Sequence, residues 1–220
     1  MSARQKDLLK NIEYPESDGK PMAETDRHIQ QMIDLRFALR EFFRDQEAVY
    51  VGSNLLLYYV EGDFTKSVAP DVFVTRGVAN HDRRTYLLWE ERQAPQVVFE
   101  ISSRATKNDD LHWKKQLYAW LGVNEYFIFD PEYKLNPPLR AFRLHGRELI
   151  EEVVSNHRVI SEELGLELVN DGTTLRLFNP QTGEFLRTPA EETVARQKAE
   201  NRADRLAAKL RELGLDPDSL

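Results

Sequence analysis

Between Gln96 and Asp130 the chain reads as strand, helix, strand, and that order restricts the fold more than any other stretch. Gln96 to Ser102 (QVVFEIS) and Tyr126 to Asp130 (YFIFD) are short, β-branched and aromatic, which is strand chemistry. From Lys107 to Leu121 (KNDDLHWKKQLYAWL), Leu111, Lys114, Leu117, Tyr118 and Leu121 recur at i, i+3, i+4 spacing, and Gly122 closes the helix. A helix joining two strands of one sheet predicts that they run parallel with a right-handed crossover. Near-continuous apolarity predicts strands covered on both faces, so the expected class is α/β, a mixed central sheet flanked by helices.

The remaining segments build around this unit. Ala23 to Arg44 has helical spacing with Thr25 or Asp26 as N-cap; Ala48 to Val60 and Val68 to Val74 read as strands. Leu139 to Leu144, Glu148 to Val154 and Thr174 to Phe178 read as antiparallel strands that extend or cover the sheet, with turns at His145-Gly146 and Asp171-Gly172. Residues 1–22 carry ESDGKP and read as a surface arm, 23–188 as the folded domain, and 189–220 as a terminal helix. In that helix Ala199, Ala203, Leu206, Leu210 and Leu213 form a 4, 3, 4, 3 seam, which predicts a coiled-coil homodimer; packing on its own domain is the alternative.

Composition narrows the chemistry. With no cysteine, disulfides and thiol catalysis are excluded. No apolar run approaches the roughly 18 residues of a membrane span, and MSARQKDLLK lacks the apolar core of a signal peptide, so a cytoplasmic protein is expected. The formal charge, 30 − 37 = −7, repels polyanions and requires a local basic surface for any nucleic-acid role.

Two carboxylates stand where apolar strands seldom hold them, at Pro70-Asp71 and at Glu100. On neighbouring strands they could converge on a divalent cation such as Mg²⁺; the alternative is that each pairs with an arginine or caps a helix. Asp110, Lys114 and Tyr118 form one helical stripe, which places Lys114 to orient or deprotonate a metal-bound water, unless it only pairs with Asp110 at i, i+4.

The blocks Pro70-Asp71, Glu100 to Ser103 (EISS), Asp110-x-x-x-Lys114-x-x-x-Tyr118, Gly122 to Tyr126 (GVNEY) and Phe129 to Pro131 (FDP) together resemble the Uma-two family, whose members are described as endonucleases. The likeness continues through YPESDGKPMAETDRH upstream and LGLEL, LRLFNPQTGE and LRELGLDPD downstream. It implies a restriction-endonuclease-like fold and a PD-(D/E)XK type of site in which Asp71, Glu100 and the Ile101 carbonyl hold Mg²⁺ or Mn²⁺. The lysine position of that motif holds Ser102, so Lys114 would take the role from the next helix. Family members also carry polar residues of the first helix near the site, which here indicates Glu24 and His28.

The enzyme reading is metal-dependent hydrolysis of DNA phosphodiester bonds, with Arg76, Arg83, Arg84, Arg104, Lys107 and Lys115 as phosphate contacts. A second reading keeps the fold and the dimer but lacks turnover, as a nucleic-acid-binding or regulatory protein. A glycosidase using the same two carboxylates fits poorly, because Trp89, Trp113 and Trp120 are the only candidates for a sugar platform.

Overall fold

The computed structural model describes residues 13–17, 19, 24–103, 107–213 and 216. It divides into two units, residues 1–186 and 187–220.

In the first unit, helix α1 (Asp26–Phe42) starts at Thr25, whose hydroxyl accepts the His28 N–H at 3.3 Å. A six-stranded mixed sheet follows, ordered β1 (Val49–Gly52), β4 (Val72–Arg76), β6 (Val97–Ile101), β7 (Glu125–Phe129), β8 (Leu139–His145) and β9 (Glu148–Glu152). Strands β6 and β7 are parallel, as the helix between them requires, and every other pairing in this sheet is antiparallel. In a separate three-stranded sheet the short strand β2 (Leu57–Tyr58) pairs with β3 (Ser67–Val68) on one side and β5 (Tyr86–Leu87) on the other, ahead of a one-turn helix α2 (Leu88–Glu91).

Period-two alternation explains the continuous apolar strands. Val72, Val74, Val97, Phe99, Ile101, Phe127 and Phe129 face α1 residues Leu35, Ala38 and Leu39, together with Leu166, Leu168, Leu175 and Leu177. Their neighbours Phe73, Val98, Tyr126 and Ile128 join Tyr118, Val123 and Tyr86 on the opposite face. Both faces are buried, so no polar alternation is left for the sequence to show. Gly52 lies opposite Phe73 in the β1–β4 register, and a Cβ there would meet the Phe73 ring at 2.2 Å; only glycine fits.

Several boundaries differ from expectation. The single strand expected over Ala48 to Val60 is two, β1 and β2, in different sheets, and Val68 to Val74 divides at Ala69–Asp71 into β3 and β4. Asp71 therefore sits on a bend just before β4 rather than inside a strand. Strands β8 and β9 extend the central sheet, but Thr174 to Phe178 becomes β12 (Leu175–Asn179) of a second sheet with β10 (Arg158–Ser161), β11 (Leu166–Asn170) and β13 (Glu184–Phe185). Most of the expected arm lies outside the described residues. Its Tyr14 is buried against Tyr58, Phe64 and Trp89, and accepts the Gly62 N–H through its hydroxyl at 2.6 Å.

Helix α3 runs through three consecutive stretches: Lys107–Asp109, a π-helical turn Asp110–Lys114, and Lys115–Leu121. Gly122 ends it at φ 83°, the left-handed conformation a C-cap glycine supplies without strain. The second unit holds helix α4 (Pro189–Glu212), opened by a capping box in which Thr188 and Glu191 satisfy each other's backbone N–H. None of its described residues is buried. Among the described residues no helix is long and apolar enough to cross a membrane.

Candidate metal and catalytic site

Antiparallel pairing of β4 with β6 sets Val72 opposite Phe99, which brings the start of β4 beside the end of β6. Asp71 and Glu100, 29 positions apart in sequence, thus meet at one end of the sheet. Asp71 is fixed by strand chemistry as well as by proximity, because its Oδ2 accepts the Ile101 backbone N–H at 2.6 Å. Its Oδ1 is left to face α1.

There it lies 3.2 Å from His28 Nε2, and the same nitrogen contacts Glu24 Oε2. One ligating atom from each of Glu24, His28 and Asp71 falls within 4.8 Å of the other two. The His28 side chain is 5% exposed, and its Nδ1 is buried without a hydrogen-bond partner. Burial opposes the imidazolium, but the hydrogen bond and charge of Asp71, followed by Glu24 and Asp110, outweigh it and raise His28 above its ordinary value. Burial raises the Glu24 carboxyl too. The helix is held in place nearby, where Gln31 donates to the Leu175 carbonyl and accepts the Leu175 N–H, both at 2.9 Å.

On the other side of Asp71, Glu100 is 1% exposed. Its Oε2 accepts from Lys114 Nζ at 2.8 Å and its Oε1 from the Tyr118 hydroxyl at 2.5 Å. Lys114 also lies 2.9 Å from Asp110 Oδ1. The π-helical turn presents this face, and the Tyr126 hydroxyl of β7 secures it by donating to the Asp110 carbonyl at 2.9 Å. Burial pushes Glu100 well above the usual carboxyl range, Lys114 pulls it down, and Asp71 and Asp110 push it up again. Burial works against the charge on Lys114, but Glu100, Asp110 and Asp71 overcome it and keep the amine protonated.

Four carboxyl groups, Glu24, Asp71, Glu100 and Asp110, therefore share one ammonium and one imidazole. Removing charge from water without full compensation is costly, and either proton uptake, to which burial already drives Glu100 and Glu24, or a divalent cation would supply the deficit. The donor chemistry, carboxylate oxygens with one imidazole nitrogen, suits such an ion.

The residues indicated by the sequence fall into three sets. Asp71, Glu24 and His28 come together, and Glu100 and Lys114 come together beside them; Ile101 meets Asp71 through its amide. Ser102 donates its N–H to the Phe129 carbonyl at 2.7 Å, and its hydroxyl is buried without a hydrogen-bond partner. The basic residues are more scattered. Arg76 ends β4, the far end from Asp71, and donates to the Glu163 carbonyl at 2.8 Å while lying over Phe43. The Arg83 side chain is 3% exposed, with Nε 2.6 Å from Glu91 Oε1 and its guanidinium over Tyr50. Arg84 is 78% exposed and pairs with Glu16. Lys115 lies over the Phe142 ring at 4.6 Å, away from Glu100. Arg104 and the Lys107 side chain lie outside the described residues. The π-helical turn and Tyr118's bond to Glu100 were not foreseen; the Asp110, Lys114, Tyr118 stripe was the signal for both.

No curated protein matches the chain. Among solved structures, a "putative nuclease belonging to DUF820" from Anabaena variabilis ATCC 29413 is similar at 15% identity and a TM-score of 0.47, covering 72% of this chain and 89% of that one. The Uma2 family model matches residues 6–176, well over half of the chain. The chain thus belongs to the Uma2 family, which is described as "Putative restriction endonuclease".

Proposed function

We propose that the protein is a metal-dependent endodeoxyribonuclease that hydrolyses DNA phosphodiester bonds, with Asp71 and Glu100 holding Mg²⁺ or Mn²⁺ and Lys114 beside them. The observation that carries this reading is the 2.8 Å contact of Lys114 with Glu100, which supplies from α3 the ammonium that Ser102 does not. A bound cation would polarise a phosphoryl oxygen and acidify a coordinated water. Because its pKa is raised, Lys114 enters as an ammonium, a positioned positive charge that orients water and offsets charge at the phosphate, rather than as a base. Asp71, anchored through Oδ2, keeps its other oxygen aimed without reorganisation. Among the described basic residues, Arg84 and Lys115 are the candidates to meet phosphates outside the site.

One observation favours the second reading, a DNA-binding or regulatory protein without turnover: both Glu100 oxygens are already occupied, by Lys114 and Tyr118. A supercoiled-plasmid assay with Mg²⁺ or Mn²⁺ separates the two. Nicking or linearisation by the native chain, lost in Asp71→Asn and Glu100→Gln, is expected; retention of plasmid without cleavage supports binding alone.

A further inference from the structure

His28 Nε2 is flanked by two carboxylate oxygens, Glu24 Oε2 and Asp71 Oδ1, while its Nδ1 is buried with no partner. No protonation state of the ring satisfies this arrangement. An Nε2–H can point at only one of the two oxygens. The tautomer with its proton on Nδ1 leaves that proton unpaired in the interior and turns the Nε2 lone pair toward two carboxylates. The imidazolium compensates the carboxylates but still buries an unpaired Nδ1–H. A cation faced by Glu24, Asp71 and Nε2 would take all three donors together, and Asp71 meets it through Oδ1, the oxygen that already faces His28, because Oδ2 is engaged by Ile101.

Imidazole nitrogen is a softer donor than carboxylate oxygen. Mg²⁺ prefers an all-oxygen octahedron and retains its waters, whereas first-row transition ions accept mixed nitrogen and oxygen sets. We propose that His28 makes the site select a first-row transition cation over Mg²⁺, with Glu24 and Asp71 as the oxygen donors. The inference rests on the reading of Asp71 as a cation ligand, but not on DNA as the substrate.

The test uses the full chain, stripped with chelator, and Mn²⁺ as probe, because Mn²⁺ is the weakest binder of its series and is paramagnetic. Calorimetric titration is expected to give at least about tenfold tighter binding of Mn²⁺ than of Mg²⁺. His28→Gln should lower Mn²⁺ affinity about 10-fold or more with little change for Mg²⁺, erasing the preference. Pulsed electron paramagnetic resonance of the Mn²⁺-loaded native chain should show ¹⁴N coupling from a directly bound imidazole, a readout independent of how the variant folds. Equal affinity for the two ions, or bound Mn²⁺ without ¹⁴N coupling, overturns the proposal and leaves the nuclease reading standing. Failure to bind either ion overturns both.

Discussion

Lys114 Nζ lies 2.8 Å from Glu100 Oε2, joining helix α3 to strand β6 across the buried end of the sheet. Glu100 and Asp110 are each 1% exposed and both lean on this one ammonium, so its removal would leave two buried carboxyl groups without it. Lys114→Ala should lower DNA cleavage by roughly 10²- to 10³-fold. It should also cost about 2–3 kcal/mol of stability, less than a broken buried pair can cost, because Glu100 can take up a proton. Lys115→Ala, on the Phe142 side of the helix, should cost cleavage only a small factor and flatten the salt dependence of DNA binding by about one unit, as loss of one phosphate contact would. Equal effects of the two substitutions in plasmid assays and urea melts would remove Lys114 from the chemistry.

Arg83 and Arg84 are adjacent and have opposite expectations. Arg83→Ala breaks a half-buried fork with Glu91 and bonds to the Ala79 and His81 carbonyls, so a loss of about 1–3 kcal/mol in urea unfolding is expected. Arg84→Ala should leave the urea midpoint alone and flatten the salt dependence of DNA binding by about one unit if it meets a phosphate. A stable Arg83→Ala protein would contradict the structural role.

Glu125 gives the pH prediction. Its side chain is 3% exposed and accepts from the Ser161 hydroxyl and, at 2.8 Å, from the Glu162 N–H. Burial raises its carboxyl above 4.5 even though these donors pull it down. The folded protein therefore holds this proton more tightly than the unfolded chain. The resulting stability is complete below about pH 4.5 and is lost as pH rises through the raised value. Scanning calorimetry in metal-free buffer should show a flatter Tm profile across that range for Glu125→Gln, and an unchanged profile would exclude Glu125 as the source.

Helix α4 exposes Val194, Leu206 and Leu213 at 53%, 54% and 75%. If the seam pairs two chains, deleting residues 187–220 should halve the mass measured by light scattering. The same mass before and after deletion would show that α4 does not hold a dimer together.

What the sequence discloses follows from how local each signal is. The β6–α3–β7 unit was legible because helical spacing and strand apolarity are contained within single segments. The breaks at Ser53–Leu56 and Ala69–Asp71 carry turn residues, Ser53-Asn54 and Pro70-Asp71, but the passage of the chain from one sheet to another at each is a long-range pairing that no local pattern encodes. Strands β10 and β11 were missed: β10 is only four residues with alternating exposure, and β11 follows it closely after the Leu164-Gly165 turn. His28 carried little weight in the sequence because its neighbours there are helical surface residues. Its partner Asp71 arrives through sheet pairing 43 positions away, which no local pattern encodes.

The π-helical turn at Asp110–Lys114 turns α3 into a phase-setting coupling. Tyr118 and Val123 are buried in the core on one side of it, and Asp110 is fixed to Tyr126 on the other. Removing Leu111, His112 or Trp113 would rotate Asp110 against Lys114 and Tyr118 by about 100°, so Asp110 could no longer meet the ammonium that Glu100 also holds. The helical phase between Asp110 and Tyr118 is accordingly what lets one ammonium meet carboxyl groups from two different elements.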